Sequence, residues 1–388
     1  MFGRIACAVM LSLLLISMLT LTFNIQPIRA EPKTWIVDDD GPADFHTIQE
    51  AVDAACDGDT ILVRSGTYTG YIVVDVIVSL IGESMNNTFV SGFYWYEHSV
   101  ISVVADYVWI SGFTIQNGWC GIGVYSTVGC TIAENRIINN NYRGGGPDIY
   151  KAGRGIWLRE AGNVTITENV VDHNDRNISL ERAENNTIED NIILNSVISW
   201  GIILESSSNN TIRNNVVKYS VYDGIYLVGS SSNKIIENSV MSNGDEGIYL
   251  GSSNDNSLFG NSVLCNPGEG IWFDWSNGNT VVGNNVMNNG KRGIFVWHSG
   301  DSTIYHNNFV NNTWGNAYSN LINVWDDGYP SGGNYWSDYT GVDIRNGLGQ
   351  DLPGSDGIGD TPYIIEVDNV DHYPLMNPYG LPAPMCVL

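Results

Sequence analysis

Residues 224–289 contain three copies of one pattern, which reads GIYLVGSSSNKIIENSVMSN from 224, GIYLGSSNDNSLFGNSVLCN from 247 and GIWFDWSNGNTVVGNNVMNN from 270. The second and fourth residues of each copy are apolar, whereas the third points to the other face, which is the period of two that a β-strand requires. Ile or Val residues five positions apart indicate a second strand in each copy. Two strands with their turns fill one copy, so each copy predicts one coil of a solenoid.

The pattern extends in both directions from this stretch. Every full unit has Asn at its fifteenth position, where it is expected to form a turn and to bond to the same residue of the next coil about 4.8 Å away. A second Asn ladder is predicted at the tenth position, from Asn186 to Asn279. Residues 100–117 fit as one more degenerate unit. A parallel β-helix of about nine to ten coils is therefore predicted, with full units starting at residues 121, 155, 177, 201, 224, 247, 270 and 293.

The segments on either side of the repeat are expected to cover its ends. Thr47 and Glu50 have the spacing of a capping box and begin a short stretch with one apolar face, which predicts an N-terminal capping helix. After residue 320 the repeat gives way to Gly, Asp and aromatic residues, which predicts an irregular C-terminal cap. The expected organisation is a signal peptide (1–30), an N-terminal cap with the first coils (31–99), the β-helix repeats (100–320) and a C-terminal cap (321–388).

The N-terminus and the composition predict an exported, acidic protein. Arg4 precedes an uncharged run over residues 5–23, which is typical of a signal peptide, with an uncleaved membrane anchor as the alternative. The chain has 17 basic and 42 acidic residues and a net charge of −25, so nucleic acid is not an expected partner. The cysteines beyond the signal have no paired spacing, and no disulfide framework is predicted. The expected location is secreted, at the cell surface or in the periplasm.

Several stretches resemble the NosD-like right-handed β-helix family. The resemblance implies an all-β, single-stranded right-handed parallel β-helix with a short N-terminal capping helix and an irregular C-terminal cap. This carbohydrate-binding and sugar-hydrolase β-helix fold, also called pectate-lyase-like, is shared by enzymes and by non-enzymatic surface proteins. The family's first-named member is a periplasmic protein implicated in copper supply to nitrous oxide reductase. The matching stretches are TIQEAVDAACDGDTILVRSGTYTG, SLIGES, ISGFTIQN, the Asn-ladder coils, GNYWSDY and DGIGDTPY, across residues 34–378.

The residue that precedes each unit changes along the stack and supplies candidate catalytic groups. Asp223, Glu246 and Glu269 are three carboxylates on consecutive coils, about 4.8 Å apart between neighbours. Carboxyl groups on neighbouring coils would thus be about as far apart as those of retaining glycosidases, and carboxyl groups on alternate coils about as far apart as those of inverting glycosidases. The alternative is a solvated acidic edge. The whole column reads Cys120, Arg154, Arg176, Trp200, Asp223, Glu246, Glu269 and Arg292.

The outward third position supplies candidate substrate-binding groups. Its aromatic side chains are expected to be exposed rings that stack against sugars, although such cross-strand rings also stabilise a sheet by themselves. The insertion at 141–154, with Arg143 and Lys151, could hold an anionic sugar or only offset nearby acids. The predicted substrate-binding residues are Trp157, Tyr226, Tyr249, Trp272, Arg154, Arg176 and Arg292.

Metal signals are few. Asp351, Asp356 and Asp360 lie on a Gly-rich stretch that is a candidate calcium loop. The histidines are scattered, so copper is not expected. The predicted function is an exported protein that binds carbohydrate, a polysaccharide or a cell-surface glycan, or acts as a surface scaffold. The alternatives are a polysaccharide lyase or glycoside hydrolase that uses the three carboxylates, which leaves enzymatic activity open, and a periplasmic copper-delivery protein.

Overall fold

The structure is a computed structural model that describes residues 31–94, 97–141 and 152–380. The predicted signal peptide and the insertion residues Arg143 and Lys151 lie outside the described residues. The described chain winds through three long parallel sheets, one strand of each sheet per coil. We number the sheets 1 to 3; sheet 2 contains the Gly-Ile strands of the repeat.

Each sheet is built from equivalent strands of successive coils. Sheet 1 contains β1 (Thr34–Val37), β2 (Asp59–Val63), β5 (Val78–Gly82), β8 (Trp109–Ser111), β11 (Thr131–Ala133), β14 (Thr165–Thr167), β17 (Thr187–Glu189), β20 (Thr211–Arg213), β23 (Lys234–Ile236), β26 (Ser257–Phe259), β29 (Thr280–Val282) and β32 (Thr303–Tyr305). Sheet 2 contains β4 (Ile72–Val74), β7 (Ser99–Val103), β10 (Cys120–Tyr125), β13 (Arg154–Arg159), β16 (Arg176–Glu181), β19 (Ile202–Glu205), β22 (Ile225–Val228), β25 (Ile248–Gly251), β28 (Ile271–Asp274), β31 (Ile294–Trp297) and β34 (Ala317–Ser319). Sheet 3 contains β3 (Gly66–Thr69), β6 (Thr88–Ser91), β9 (Thr114–Gln116), β12 (Arg136–Ile138), β15 (Val170–Asp172), β18 (Ile192–Leu194), β21 (Val216–Lys218), β24 (Ser239–Met241), β27 (Ser262–Leu264), β30 (Asn285–Met287), β33 (Asn308–Val310) and β35 (Tyr335–Trp336).

Each coil has three strands, and the prediction of two strands is wrong. Ile212 lies in β20 and Val217 in β21, although the sequence pattern placed both on one strand. Between them Asn214 has a φ of 54° and bends the chain sharply. Both side chains therefore point into the core despite their odd spacing, which a straight strand would not allow.

The fifteenth-position Asn ladder is confirmed, but its predicted role as the left-handed turn residue is wrong. The left-handed residue is its predecessor, for example Glu237 with a φ of 53°. Asn238 itself is buried, and its carboxamide oxygen accepts bonds from the backbone N–H and the side-chain Nδ2 of Asn215, both at 3.0 Å. Its Nδ2 donates to the carbonyl of Ile212 at 2.9 Å. The ladder therefore pairs the polar groups of a buried bend from coil to coil.

Two further ladders run parallel to this one. The predicted tenth-position ladder is present, with Asn210 Nδ2 donating to Asn233 Oδ1 at 3.2 Å. A ladder that the sequence analysis did not identify lies at the twentieth position, where Asn243 Nδ2 donates to Asn266 Oδ1 at 3.2 Å. The available signal was the Asn that ends the units starting at 224, 247, 270 and 293.

The interior of the solenoid is a continuous stack of apolar side chains. Ile225, Ile248, Ile271 and Ile294 pair in register on sheet 2 and are fully buried, as the repeat predicts. The sheets contain 12, 11 and 12 strands, so the predicted nine to ten coils are too few. The additional coils fall mainly in residues 34–99, where the Gly-Ile and Asn signals are absent although the strands are present.

The ends differ from the coils. Helix α1 (Ile48–Ala54) begins with the capping box of Thr47 and Glu50, and it buries Ile48, Ala51 and Val52 in the core. Beyond the last coil lie two short antiparallel pairs, β36 (Arg345–Asn346) with β37 (Leu352–Pro353) and β38 (Tyr363–Glu366) with β39 (Asn369–Asp371).

The buried carboxylate of Asp371 accepts the backbone N–H of Asn334, the last ladder residue, at 2.8 Å, and so ends the Asn ladder.

Cys56, Cys120 and Cys130 are free, whereas Cys265 is disulfide-bonded. The spacing of cysteines did not reveal this bond.

Candidate functional site

The outward side of sheet 2 contains all the residues predicted for catalysis and substrate binding. Tyr226, Tyr249, Trp272 and Phe295 pair in register along β22, β25, β28 and β31. The charged residues that precede the strands lie beside this column. We call this surface the sheet-2 face.

The aromatic side chains form a continuous column of ring contacts. Trp200 stacks on Tyr226 with 4.5 Å between ring centroids, and Tyr226 stacks on Tyr249 at 4.9 Å with an angle of 8° between the planes. Trp272 meets Tyr249 edge to face at 5.2 Å. The rings were predicted to be exposed, but they are half-buried because each covers part of its neighbour. The exposed parts of the stacked rings form a continuous apolar strip on the surface.

This column does not extend to Trp157. Ser179 and Ile203 occupy the intervening third positions and are buried, which interrupts the rings. Trp157 is only 8% exposed and lies in a separate cluster with Trp119 and Tyr125. The predicted set of sugar-stacking residues is therefore divided into two groups at different places along the face.

The three predicted catalytic carboxylates are close together but are not a solvated edge. Asp223, Glu246 and Glu269 are 5%, 3% and 4% exposed. Asp223 accepts a hydrogen bond from Trp200 Nε1 at 3.1 Å and another from the backbone N–H of Glu246 at 2.9 Å. Carboxylate oxygens of Asp223, Asp245 and Glu246 all lie within 4.8 Å of one another. Asp245 completes this cluster and was not identified from the sequence.

Lys291 balances much of the negative charge. Its Nζ lies 3.1 Å from Glu269 and 3.4 Å from Glu246, and Arg292 lies 3.7 Å from Glu269. Lys291 is 45 residues from Glu246 along the chain, so no local pattern could connect the two. Burial and the hydrogen bond between Glu246 and Asp223 raise the pKa of Glu246, and burial raises the pKa of Asp223. The pair can therefore hold a proton at neutral pH, which is a property of general acids.

The other end of the sheet-2 face is basic. Arg154 and Arg176 are in register on β13 and β16 and are 8% and 4% exposed. Arg176 pairs with Glu205 at 3.4 Å, and its guanidinium lies 5.3 Å from the ring centre of Trp200. The Arg154 guanidinium lies 4.2 Å from the ring centre of Trp157. Burial lowers the pKa of both arginines. The face thus has a basic end at β13 and β16 and an acidic end, where the carboxylates lie beside the aromatic column.

Arg292 belongs to the acidic end. Its guanidinium lies 5.0 Å from the ring centre of Phe295 and 5.3 Å from that of Tyr318, besides its ion pair with Glu269. Of the three arginines predicted to bind substrate, Arg154 and Arg176 are neighbours, and Arg292 is separated from them by the coils of the aromatic column.

The predicted calcium loop is not assembled. In the described part of the chain, Asp351, Asp356 and Asp360 do not form a group of carboxylates close enough to share an ion. Asp360 accepts hydrogen bonds from the backbone of Ile344 and Arg345, and Asp356 accepts one from Gln350 Nε2 at 3.1 Å. Asp360 thus links two segments of the C-terminal region, and Asp356 also accepts the backbone N–H of Ile358 at 3.1 Å, as in an Asx turn.

Two groups of at least three acidic, His or Cys side chains among the described residues lie close enough together to hold an ion. The clusters that could hold an ion within these ranges are Asp38–Asp40 and the set of Asp223, Asp245 and Glu246, all of them carboxylates. Copper is bound in proteins mainly by imidazole, thiolate and thioether groups.

Among the described residues, no helix is long and apolar enough to cross a bilayer.

The fold and this face define an all-β, right-handed parallel β-helix protein. A family model described as periplasmic copper-binding protein (NosD) matches residues 146–267 and 201–341, about half of the chain, and a model described as right handed beta helix region matches residues 78–199. The chain belongs to the NosD-like right-handed β-helix family.

Among curated proteins, a cell surface glycoprotein of Methanothermus fervidus is 39% identical over 99 residues. The match covers 24% of this chain and 16% of the glycoprotein. The prediction of an extracellular or periplasmic location is confirmed by this relative and by the family.

Two solved structures share the fold. The A-module of the mannuronan C-5 epimerase AlgE6 of Azotobacter vinelandii has a TM-score of 0.51 and 13% identity, over 71% of this chain and 91% of the module. The Dettilon tailspike protein has a TM-score of 0.50 and 14% identity, over 72% of this chain and 60% of the tailspike. At these identities the likeness establishes the architecture alone.

Proposed function

We propose that this surface β-helix protein binds carbohydrate along the sheet-2 face. The observation that carries the proposal is the unbroken column of half-buried rings from Trp200 to Phe295. Aromatic rings bury a large apolar area at little cost in side-chain entropy, and their flat faces suit the apolar faces of sugar rings. A column several coils long suits a chain of sugars better than a single small molecule.

Polar groups beside the column support this proposal. The Tyr249 hydroxyl lies 3.3 Å from Asp274 Oδ2. Arg176, whose guanidinium lies over the Trp200 ring, forms an ion pair with Glu205. Sugar hydroxyls require such donors and acceptors at the edge of an apolar surface. The sugar-acting enzyme named above shares the architecture, which is compatible with this use of the fold.

Truncating the rings tests the proposal. We expect Tyr249→Ala and Trp272→Ala to weaken binding to a polysaccharide from a panel by about tenfold or more, because each removes a central stacking surface. Matched controls are Phe259→Ala and Trp109→Ala, since both rings are on the outward side of sheet 1. Affinity electrophoresis or calorimetry provides the measurement. Equal loss in all four variants, or no binding by the native protein to any member of the panel, contradicts carbohydrate binding and favours the scaffold alternative.

A polysaccharide lyase or glycoside hydrolase is the second candidate function. The specific observation in its favour is the buried pair of Asp223 and Glu246, whose raised pKa values suit groups that exchange a proton with a substrate and whose carboxylate oxygens lie within 4.8 Å of each other. New reducing ends would indicate hydrolysis, and absorbance of unsaturated uronates would indicate lyase action. Glu246→Gln should abolish either activity, whereas Glu160→Gln, an exposed carboxylate paired with Arg182, should not.

Copper delivery, the third class, has the support of the family description alone. The carboxylate clusters described above do not supply its usual donors. Stoichiometric binding of cuprous or cupric ion by the purified protein, measured by competition with a chelator, would favour this class over the other two.

A further inference from the structure

Arg154 is a buried cation without an anionic partner among the described residues. It is 8% exposed, its Nη1 donates to the carbonyl of Ala152 at 3.3 Å, and its Nε has no hydrogen-bond partner. The rings of Trp119 and Trp157 lie 5.0 Å and 4.2 Å from the guanidinium carbon. Aromatic rings attract a cation only weakly compared with a carboxylate, so the charge is under-compensated.

The other arginines at this end are paired, which makes Arg154 distinct. Arg159 lies 3.9 Å from Glu181, and Arg182 lies 2.9 Å from the same carboxylate. Arg176 lies 3.4 Å from Glu205 and adds a like charge on the neighbouring strand. An unpaired ion inside a protein is costly, and groups perturbed in this way cluster at functional sites, where a ligand can supply the opposite charge.

Arg154 borders two cavities that open on the sheet-2 face. The first has a volume of 370 Å³, and besides Arg154 its walls contain the rings of Trp119, Tyr125 and Trp157 and the charged side chains of Glu97, Arg159 and Glu181. The second has a volume of 340 Å³ and includes Arg176 and Glu205. Glu181 pairs with Arg159, whereas the buried guanidinium of Arg154 has no ion pair among the described residues and lies against the Trp157 ring. The first cavity therefore suits a ring that has one anionic substituent.

We propose that this cavity binds the carboxylate of an acidic sugar, a uronic acid residue of the bound polysaccharide. The inference rests on the proposed function, since the sugar chain would lie on the same face. The guanidinium presents a planar fork of N–H donors that matches a carboxylate in a bidentate arrangement, and its Nε supplies an unused donor. The indole walls would contact the apolar face of the sugar ring.

Titration with small sugars tests this inference without a polysaccharide. The purified protein is titrated by calorimetry with glucuronate, with glucose, which lacks the carboxylate, and with sulfate. We expect saturable binding of glucuronate and an affinity at least about tenfold lower for glucose and sulfate. Equal binding of glucuronate and glucose, no binding of glucuronate, or sulfate binding as tight as that of glucuronate would overturn the proposal.

Substitution of Arg154 locates the binding. Arg154→Met should lower the affinity for glucuronate by about tenfold or more, and Arg154→Lys should lower it less, because lysine retains the charge but not the fork. Arg213→Gln is the matched control, since it removes an arginine from the outward side of sheet 1. Unchanged glucuronate affinity in Arg154→Met would reject Arg154 as the ligand.

Thermal unfolding separates binding from a structural role. Without ligand, Arg154→Met should unfold at the same temperature as the native protein or higher, because it replaces an under-compensated buried charge with an apolar side chain. A fall of several degrees would mean that Arg154 holds the fold together, and it would overturn the proposal. If the native protein binds glucuronate but no polysaccharide of the panel, the proposed function is rejected, whereas the proposal that this cavity binds a uronate carboxylate is retained.

Discussion

The two sides of sheet 2 follow different rules. On the inward side, Ile225, Ile248 and Ile271 repeat one residue from coil to coil, because every coil must fill the same cross-section of the core. On the outward side, the residue that precedes each repeat unit changes from Arg176 through Trp200 to Glu246. Core packing does not dictate these outward residues, so their variation carries information about function that the repeat itself does not.

Placing the same charge on each side of one strand gives the largest expected effect. Ile248→Asp buries an unpaired carboxylate in the apolar stack, and we expect no cooperatively folded protein because such a burial costs several kcal/mol. Tyr249→Asp changes the next residue, whose side chain is half-buried on the outward side, and this variant should remain folded. Circular dichroism during thermal unfolding provides the measurement. Similar loss of structure in both variants would contradict the difference between the two sides.

A smaller effect is expected at the bends, where one residue is buried and its predecessor is not. Asn238→Gly should destabilise the protein by about 2–4 kcal/mol, because Asn215 and the carbonyl of Ile212 lose their partners inside the coil. Glu237→Gly should leave stability unchanged or raise it by up to about 1 kcal/mol, because Glu237 has a φ of 53° that glycine adopts without strain. Urea unfolding measures both. The reverse order would restore Asn238 as the turn residue.

The fold was predictable because the same pattern of apolar and Asn residues recurs in every repeat unit. Identical apolar and Asn positions in successive units identify the inward side and the ladder without any knowledge of the structure. The first coils were expected in residues 31–99, but their number was not predictable, because bends beside strands such as β2 and β5 lack the Asn signal. The third strand of each coil was not predicted, because a single left-handed residue, such as Asn214, separates two strands and changes the alternation of side chains between them.

The candidate site was predictable only in part. The repeat register placed Asp223, Glu246 and Glu269 on neighbouring coils and predicted that they would lie close together. Their burial was not predictable, because it depends on the packing of side chains on the outward side. Lys291 was not predictable either, since its contacts with Glu246 and Glu269 cross coils. Likewise, no residue pattern indicates that Arg154 lacks a carboxylate partner.

The carboxyl pair on the outward side predicts a dependence of stability on pH. Burial and the bond with Asp223 raise the pKa of Glu246 above the ordinary glutamate range, so the folded state retains a proton that the unfolded state has released. The stabilisation by that proton is present at acidic pH and is lost as the pH rises through the raised pKa. We expect the unfolding free energy to fall by on the order of 1 kcal/mol between mildly acidic and alkaline pH.

Glu246→Gln should remove most of this dependence, because the amide resembles the protonated acid at every pH. Glu160→Gln is the control, since Arg182 lowers the pKa of Glu160 and that carboxylate stays ionised over the whole range. Thermal unfolding across the pH series gives the result. An unchanged pH profile in Glu246→Gln would mean that the shared proton does not stabilise this end of the face.

The smallest effect is expected on the outward side of sheet 1, at an exposed ion pair. Arg213 Nε donates to Glu189 Oε2 at 2.6 Å on neighbouring strands, and about half of the Arg213 side chain is exposed. Solvent and salt screen such a pair, so Arg213→Gln should cost at most about 1 kcal/mol, and the cost should shrink further in high salt. Denaturant unfolding at low and high salt measures it. A loss as large as that of Asn238→Gly would contradict the screening of this ion pair by solvent, and it would remove Arg213→Gln as a reference for Arg154.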